Sequence, residues 1–195
     1  LCAAGAGYIN DSWMPVFITP VIILLLTAYT PWLKKRYFLG NLLVAICVGM
    51  LPIWALWPEI IRTVNSDVQF WALVYCLFGF LLTFSREIVK DLEDMDGDEA
   101  EGYKTIPVVS GIRTAKGYAL FSLLISLFLA SMAFMFQVKS QSHFTQLTYL
   151  ITVAAPILIC FLALIVARSK SGFTRASGLL KLAMILGISF SLINF

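Results

Sequence analysis

Apolar residues fill six long runs of this chain, at residues 14–33, 39–57, 70–89, 115–136, 145–167 and 176–195, with short polar stretches between them. Each run approaches the roughly 20 residues that a helix needs to cross a bilayer core. Backbone facing lipid must satisfy its own hydrogen bonds, so all six are expected to be helices, kinked at Pro20, Pro52 and Pro156. Ahead of them, residues 1–13 form an apolar fragment too short to span, and Ala3, Ala4, Gly5, Ala6 and Gly7 suit close helix packing. The expected fold class is all-α: a multi-pass transmembrane helical bundle of six full helices plus an N-terminal fragment, in one membrane-embedded domain over residues 1–195.

Composition agrees with the pattern. Hydrophobic residues make up 60% and charged residues 13%, and the mean hydropathy is +0.89. These values exclude a soluble domain. A net charge of +3, spread along the loops, forms no nucleic-acid patch. Cys2, Cys47, Cys76 and Cys160 lie inside apolar runs without short-range pairing and read as small buried hydrophobes. His143, the only histidine, sits beside Gln141 and Ser142 and reads as solvated.

Charge fixes the orientation. Lys34, Lys35 and Arg36 follow the first run. Arg86, Lys90, Lys104, Arg113 and Lys116 surround the third connection, and Arg168, Lys170, Arg175 and Lys181 are assigned to the fifth. That is 12 of the 14 basic residues on one side, against Arg62 and Lys139 on the other. The positive-inside rule places the twelve in the cytoplasm, and hence the chain in the inner (cytoplasmic) membrane.

Eight of the eleven acidic residues share the cytoplasmic side: Glu87, Asp91, Glu93, Asp94, Asp96, Asp98, Glu99 and Glu101. Two like charges about 4 Å apart cost roughly 1 kcal/mol in water and roughly 4 at a protein surface. A bound divalent cation is the simplest relief. On a helix Asp91, Asp94 and Asp98 are spaced i, i+3 and i+7 and share a face, with Glu87 one turn before, while Glu93 and Asp96 point elsewhere. Such a row, with Arg86 and Lys90 beside it, suits Mg²⁺, which takes oxygen ligands and combines a few carboxylates with substrate phosphates. Gly97 and Gly102 would let the chain bend around the site. An EF-hand loop fails, because Leu92 and Tyr103 occupy its two end positions. A solvated acidic loop and an ion-relaying carrier remain open beside the cation site, although relay groups lie within the membrane.

The run Arg86-Glu87-Ile88-Val89-Lys90-Asp91-Leu92-Glu93-Asp94-Met95-Asp96-Gly97-Asp98, followed by Gly102, Thr105-Ile106-Pro107-Val108 and Gly111, resembles the second aspartate-rich motif of the UbiA-type intramembrane prenyltransferases. Tyr29-Thr30, Leu33-Lys34-Lys35 and Gly40-Asn41 resemble the connection between that family's fourth and fifth helices. Ala4-Gly5 and Tyr8-Ile9-Asn10-Asp11 resemble the start of its first motif. Residues 14–195 would then correspond to the last six of nine helices. The first motif departs from the family after Asp11, with Met14 and Ile18 where aspartates are wanted. Topology raises the same difficulty. Two residues, at about 3.6 Å each, cannot carry the chain across a core about 30 Å thick. Either about one helix and a loop are absent between 13 and 14, along with the N-terminal part, which is the favoured expectation, or Asp11 is only an N-cap for the first full helix.

The resemblance implies an enzyme that transfers a polyprenyl group from an isoprenyl diphosphate to a hydrophobic acceptor by ionising the allylic diphosphate. It implies Mg²⁺ on Asp91, Asp94, Asp98 and Asp11, with Asp91, Asp94 and Asp98 catalytic. Lys34, Lys90, Arg86 and Asn10 would bind the diphosphate, and Arg86 would also orient the carboxylates. Trp54, Trp57, Trp71, Tyr75, Phe78, Phe80 and Phe84 are candidates for a dry aromatic wall around the cation. The wording is most similar to members acting on geranylgeranylglyceryl phosphate, and those acting on 4-hydroxybenzoate share the apparatus. The expected partners are thus the diphosphate, a glyceryl-phosphate lipid or hydroxybenzoate-like acceptor, and the bilayer. The alternative is a catalytically inactive membrane carrier or scaffold.

Overall fold

The computed structural model describes residues 14–28, 37–57, 60 and 66–194. Among these residues the chain is helical almost throughout and contains no strand. The helices are α1 (Met14–Ala28), α2 (Leu39–Ala55), α3 (Ser66–Ala100) and α4 (Ile106–Ala133), followed by α5 (His143–Tyr149), α6 (Ala155–Val166) and α7 (Lys170–Asn194). A π-helical turn, Phe134–Val138, prolongs α4, and another, Leu150–Ala154, joins α5 to α6. Every expected segment is helical where described. Ser66–Ala100, Ile106–Val138, His143–Val166 and Lys170–Ile193 are long and apolar enough to cross a membrane. Helix α2, with 17 residues, is shorter. The chain is an integral membrane helical bundle.

The third segment differs most from expectation, because its helix runs through the acidic stretch to Ala100. The reason is an apolar face that outlasts the apolar run. Ser85, Ile88, Val89 and Leu92 are buried at the spacing of one helical stripe, so packing carries the helix past its own charges. Gly97 lies within this helix and makes no bend. Gly102, at φ +74°, makes the turn. Helix α4 then starts at Ile106, nine residues before the expected start, and breaks at Gly111, whose φ of 82° and ψ of 161° are open only to glycine. Helix α7 starts at Lys170, so most of the polar stretch between the runs 145–167 and 176–195 is helical. The close pass of Gly172 over Ala167 permits this tight connection.

Small residues bring the helices together, as lipid-embedded packing requires. At the α2–α3 crossing, a Cβ on Gly49 would lie 2.8 Å from Phe80 Cβ. Along α4, Ala115, Ala119, Ser122, Ser126, Ala130 and Ala133 are buried in a seam. Ser122 Oγ donates to Leu81 O at 2.9 Å, and Ser85 Oγ donates to Ala119 O at 3.2 Å. Pro20 and Pro52 lie inside α1 and α2, and Pro156 follows the second π turn directly.

Contacts between distant segments gather the expected cytoplasmic residues at one end. Tyr37 Oη and Ser110 Oγ are 2.9 Å apart. Thr174 Oγ1 donates to Glu93 Oε1 at 3.0 Å. Lys116 Nζ donates to the last carbonyls of α6, at Ile165 (2.8 Å) and Ala167 (2.7 Å), where a cation also suits the helix dipole. At the opposite end Gln137 Nε2 donates to Asp67 Oδ1 at 3.1 Å. Cys47 and Cys160 are buried and Cys76 half-buried, all as free thiols. His143 is exposed.

Candidate functional site

The last three turns of α3 carry Asp91, Glu93, Asp94, Asp96, Asp98 and Glu99, with no basic residue in the last turn. This arrangement is unfavourable in isolation. Acids at a helix C-terminus oppose the macrodipole by about 0.3–1 kcal/mol each, and like charges one turn apart cost about 0.2–0.5 kcal/mol. At about 100° per residue, Glu87, Asp91, Asp94 and Asp98 fall within a stripe roughly 60° wide. Asp91 and Asp94 are half-buried and Asp98 is buried, whereas Asp96 is exposed. The burial follows from the packing of α3, which turns this face toward protein.

One neighbour of the stripe comes from α2. Asn41, buried at the start of that helix, donates from Nδ2 to Asp91 Oδ2 at 2.7 Å. The contact joins residues 50 apart in sequence and holds the carboxylate in place. Asn41 belongs to the Gly40-Asn41 pair, but no role was expected of it. The available signal was a lone amide inside an apolar run.

The other candidates are placed unevenly. Arg86 is ion-paired to its neighbour Glu87 (Nη1 to Oε1, 2.7 Å), so the carboxylate it orients is Glu87. Lys90 is exposed. Glu93 turns away from the stripe to accept from Thr174. Asn10, Asp11, Lys34 and the junction at 13–14 lie outside the described residues. No three carboxylates among the described residues converge on one point as a ready-made metal cage. The donors are all oxygen, which fits a hard cation held partly by substrate phosphate. Beyond the helix end, Tyr103 is hydrogen-bonded to Glu101 and stands in the field of Glu101 and Asp98, which holds its phenol above the ordinary value. The field at this end is therefore negative.

Deeper along α3 lies an apolar cavity of about 90 Å³, lined by Trp71, Tyr75, Phe78, Tyr149, Gly187 and Phe190 among others. Trp71, Tyr75 and Phe78 are expected wall residues. Phe80 and Phe84 instead stack on each other with ring centroids 6.1 Å apart, and Phe84 meets Phe38 at 5.3 Å. Tyr149 and Phe190, in T-shaped contact at 5.2 Å, come from helices far along the chain, and their role has no local sequence signal. Tyr149 Oη donates to Ala130 O at 2.9 Å, so its polar tip is satisfied away from the cavity.

Between stripe and cavity, α2, α3 and α7 enclose a groove of about 350 Å³, lined in part by Val44, Val48, Thr83, Arg86, Glu87 and Lys181. Groove and cavity share Met184. Lys181 is not a loop residue as expected but lies 11 residues into α7, about 16 Å along it at 1.5 Å per residue. From Asp91 to Trp71 the same rise gives about 30 Å, so acidic end, groove and aromatic cavity follow one another along a single helix.

Residues 1–190 match the family model described as the UbiA prenyltransferase family. A digeranylgeranylglyceryl phosphate synthase of Methanobrevibacter smithii is 29% identical over 189 residues, covering 95% of this chain and 63% of the relative. Its namesake in Methanosphaera stadtmanae is 29% identical over 180 residues, covering 91% and 61%. The one in Thermococcus kodakarensis is 31% identical over 159 residues, covering 80% and 52%. The chain thus spans about six-tenths of the length of the first two relatives. No solved structure matches it.

Proposed function

We propose that this chain, which belongs to the UbiA prenyltransferase family, takes part in transferring a polyprenyl group from an isoprenyl diphosphate to a lipid acceptor within the membrane. The observation that carries the reading is the carboxylate stripe Asp91, Asp94 and Asp98, at the negative end of a helix whose other half lines an apolar cavity. Diphosphate leaves only once its charge is neutralised, and Mg²⁺, when bound, supplies that neutralisation. Asp91, held by Asn41, and Asp94 would bind the cation, with Asp98 at the far end of the row. Trp71, Tyr75 and Phe78 would exclude water from the allylic tail and face its cation with aromatic rings. A glyceryl-phosphate acceptor is favoured over an aromatic one because the relatives found carry that name. The basic residues at the acidic end support a cytoplasmic orientation for it.

The test is product formation by the chain in lipid membranes, from geranylgeranyl diphosphate and geranylgeranylglyceryl phosphate, across a magnesium titration. Transfer should rise with Mg²⁺ and vanish on chelation. Donor binding without transfer at any magnesium level would leave the carrier or scaffold reading in its place.

A further inference from the structure

The groove between α2, α3 and α7 holds polar groups that the carboxylate stripe does not employ. Thr83 is 3% exposed, and its Oγ1 has no hydrogen-bond partner among the described residues. A helical threonine ordinarily bonds back to a carbonyl one turn earlier, as Thr148 and Thr152 do here. Arg86 spends Nη1 on Glu87, while its Nε is buried without a partner. Lys181 faces the same groove and makes no ion pair with any described residue. Two cations against one carboxylate leave the groove positive by one charge. Buried donors without acceptors cost about 1–3 kcal/mol each, and charged side chains at membrane depth are retained for a ligand or partner.

Resting on the prenyl-transfer reading above, we propose that Thr83, Arg86 and Lys181 form an oxyanion subsite that holds the charged headgroup of the acceptor, a phosphate or a carboxylate. Position separates this role from donor binding. Arg86 lies five residues, about 7.5 Å, deeper than Asp91 along α3, below the stripe that would take the metal and diphosphate. Leu82 and Gly79 of the tail cavity follow immediately below it. The groove therefore sits where the donor's head ends and its tail begins, beside the carbon that must be attacked. A headgroup anchored there brings the acceptor hydroxyl to that carbon, and the supply of oriented reactants is itself a large part of such a rate.

The experiment measures binding to the chain in lipid nanodiscs for three probes: geranylgeranylglyceryl phosphate, 4-hydroxybenzoate, and geranylgeranyl diphosphate with Mg²⁺. Lys181 is exposed, so Lys181→Gln leaves packing intact, and Thr83→Val removes only the hydroxyl. Lys181→Gln should weaken binding of an acceptor probe roughly 10- to 100-fold, the range of a lost charge-assisted contact. Donor affinity should hold within about threefold, and Lys181→Arg should restore most of the loss. Loss confined to the glyceryl phosphate, or to the hydroxybenzoate, identifies which headgroup the subsite takes. An equal or greater loss of donor affinity would assign the cations to the diphosphate and overturn the inference, as would no change for any probe. Wild-type chain that binds none of the three would overturn the prenyl-transfer reading itself.

Discussion

The two halves of α3 obey different solvents. From Phe70 to Leu82 the helix is apolar, and Trp71, Tyr75 and Phe78 line a cavity with almost no polar lining. From Arg86 to Glu99 it carries nine charged groups before the helix ends: Arg86, Glu87, Lys90, Asp91, Glu93, Asp94, Asp96, Asp98 and Glu99. Yet both halves bury a stripe of the same kind, with Ala72, Val74, Phe78 and Leu82 below and Ile88, Val89 and Leu92 above. Continuity of the buried stripe keeps the helix unbroken through a change of environment, and the opposite face is free to differ. On the proposed reading, one element would in this way offer charge to a diphosphate and hydrocarbon to its tail.

The sharpest way to break the comparison is to neutralise the upper half alone. Asp91→Asn or Asp94→Asn should lower transfer at least about 100-fold, about 2.7 kcal/mol of barrier, with the helical circular dichroism unchanged. Asp96→Asn, at an exposed position off the stripe, should stay within about twofold. Equal losses at all three positions would mean that net charge, not the aligned stripe, is what matters.

Next in size is the contact that seats the lower half. A Cβ at Gly49 would stand 2.8 Å from Phe80 Cβ and 3.0 Å from Cys76 O, whereas one at Gly79 meets nothing nearer than 3.3 Å. Gly49→Ala should therefore destabilise the bundle by about 2 kcal/mol, within the usual cost of overpacking, and Gly79→Ala by less. Thermal unfolding in detergent measures both. Should Gly79→Ala prove the worse, the crossing point of α2 and α3 is wrongly placed.

The cavity offers a milder test. Gly187 lines it, and a Cβ there would meet nothing within 4 Å. Gly187→Leu should extend into the cavity and cut transfer from a long-chain donor roughly 10-fold, about 1.4 kcal/mol. The shortest allylic donor should be spared. A uniform loss across chain lengths would place the tail elsewhere.

These regions were not equally legible in the sequence. The six helical segments were readable because apolar length is a local property, and the alignment of Asp91, Asp94 and Asp98 followed from spacing alone. The end of α3 was not, since charge density suggests a loop and only tertiary burial of Ile88, Val89 and Leu92 keeps the stretch helical. Lys181 looked like a loop cation because it lies near Arg175 in sequence, while the start of α7 at Lys170 carries it well into the bundle. Asn41 against Asp91, and Tyr149 against Phe190, are pairings across 50 and 41 positions. Periodicity along one segment contains no information about which distant segment it will meet. The kink at Gly111 was hidden for a related reason: a glycine is seen in sequence, but its φ of 82° is not.

The smallest expected effect lies at the rim of the acidic end. Tyr37 Oη reaches Ser110 Oγ across 73 positions, tying the entrance of α2 to the short helical stretch before Gly111. The residue between Tyr37 and α2, Phe38, has φ +66°, an uncommon conformation for a residue with a Cβ. It is held there by ring contacts with Phe84 at 5.3 Å and Tyr118 at 6.2 Å. The ring packing, not the hydroxyl, thus carries most of the restraint on where α2 begins and so on where Asn41 meets Asp91. Tyr37→Phe should cost about 0.5–1 kcal/mol, the net worth of one hydrogen bond, and leave transfer nearly unchanged. Phe38→Ala should lower both stability and transfer, because it frees the segment that positions Asn41. If Tyr37→Phe proves the more damaging of the two, the hydrogen bond rather than the aromatic cluster aligns α2 with the carboxylate stripe.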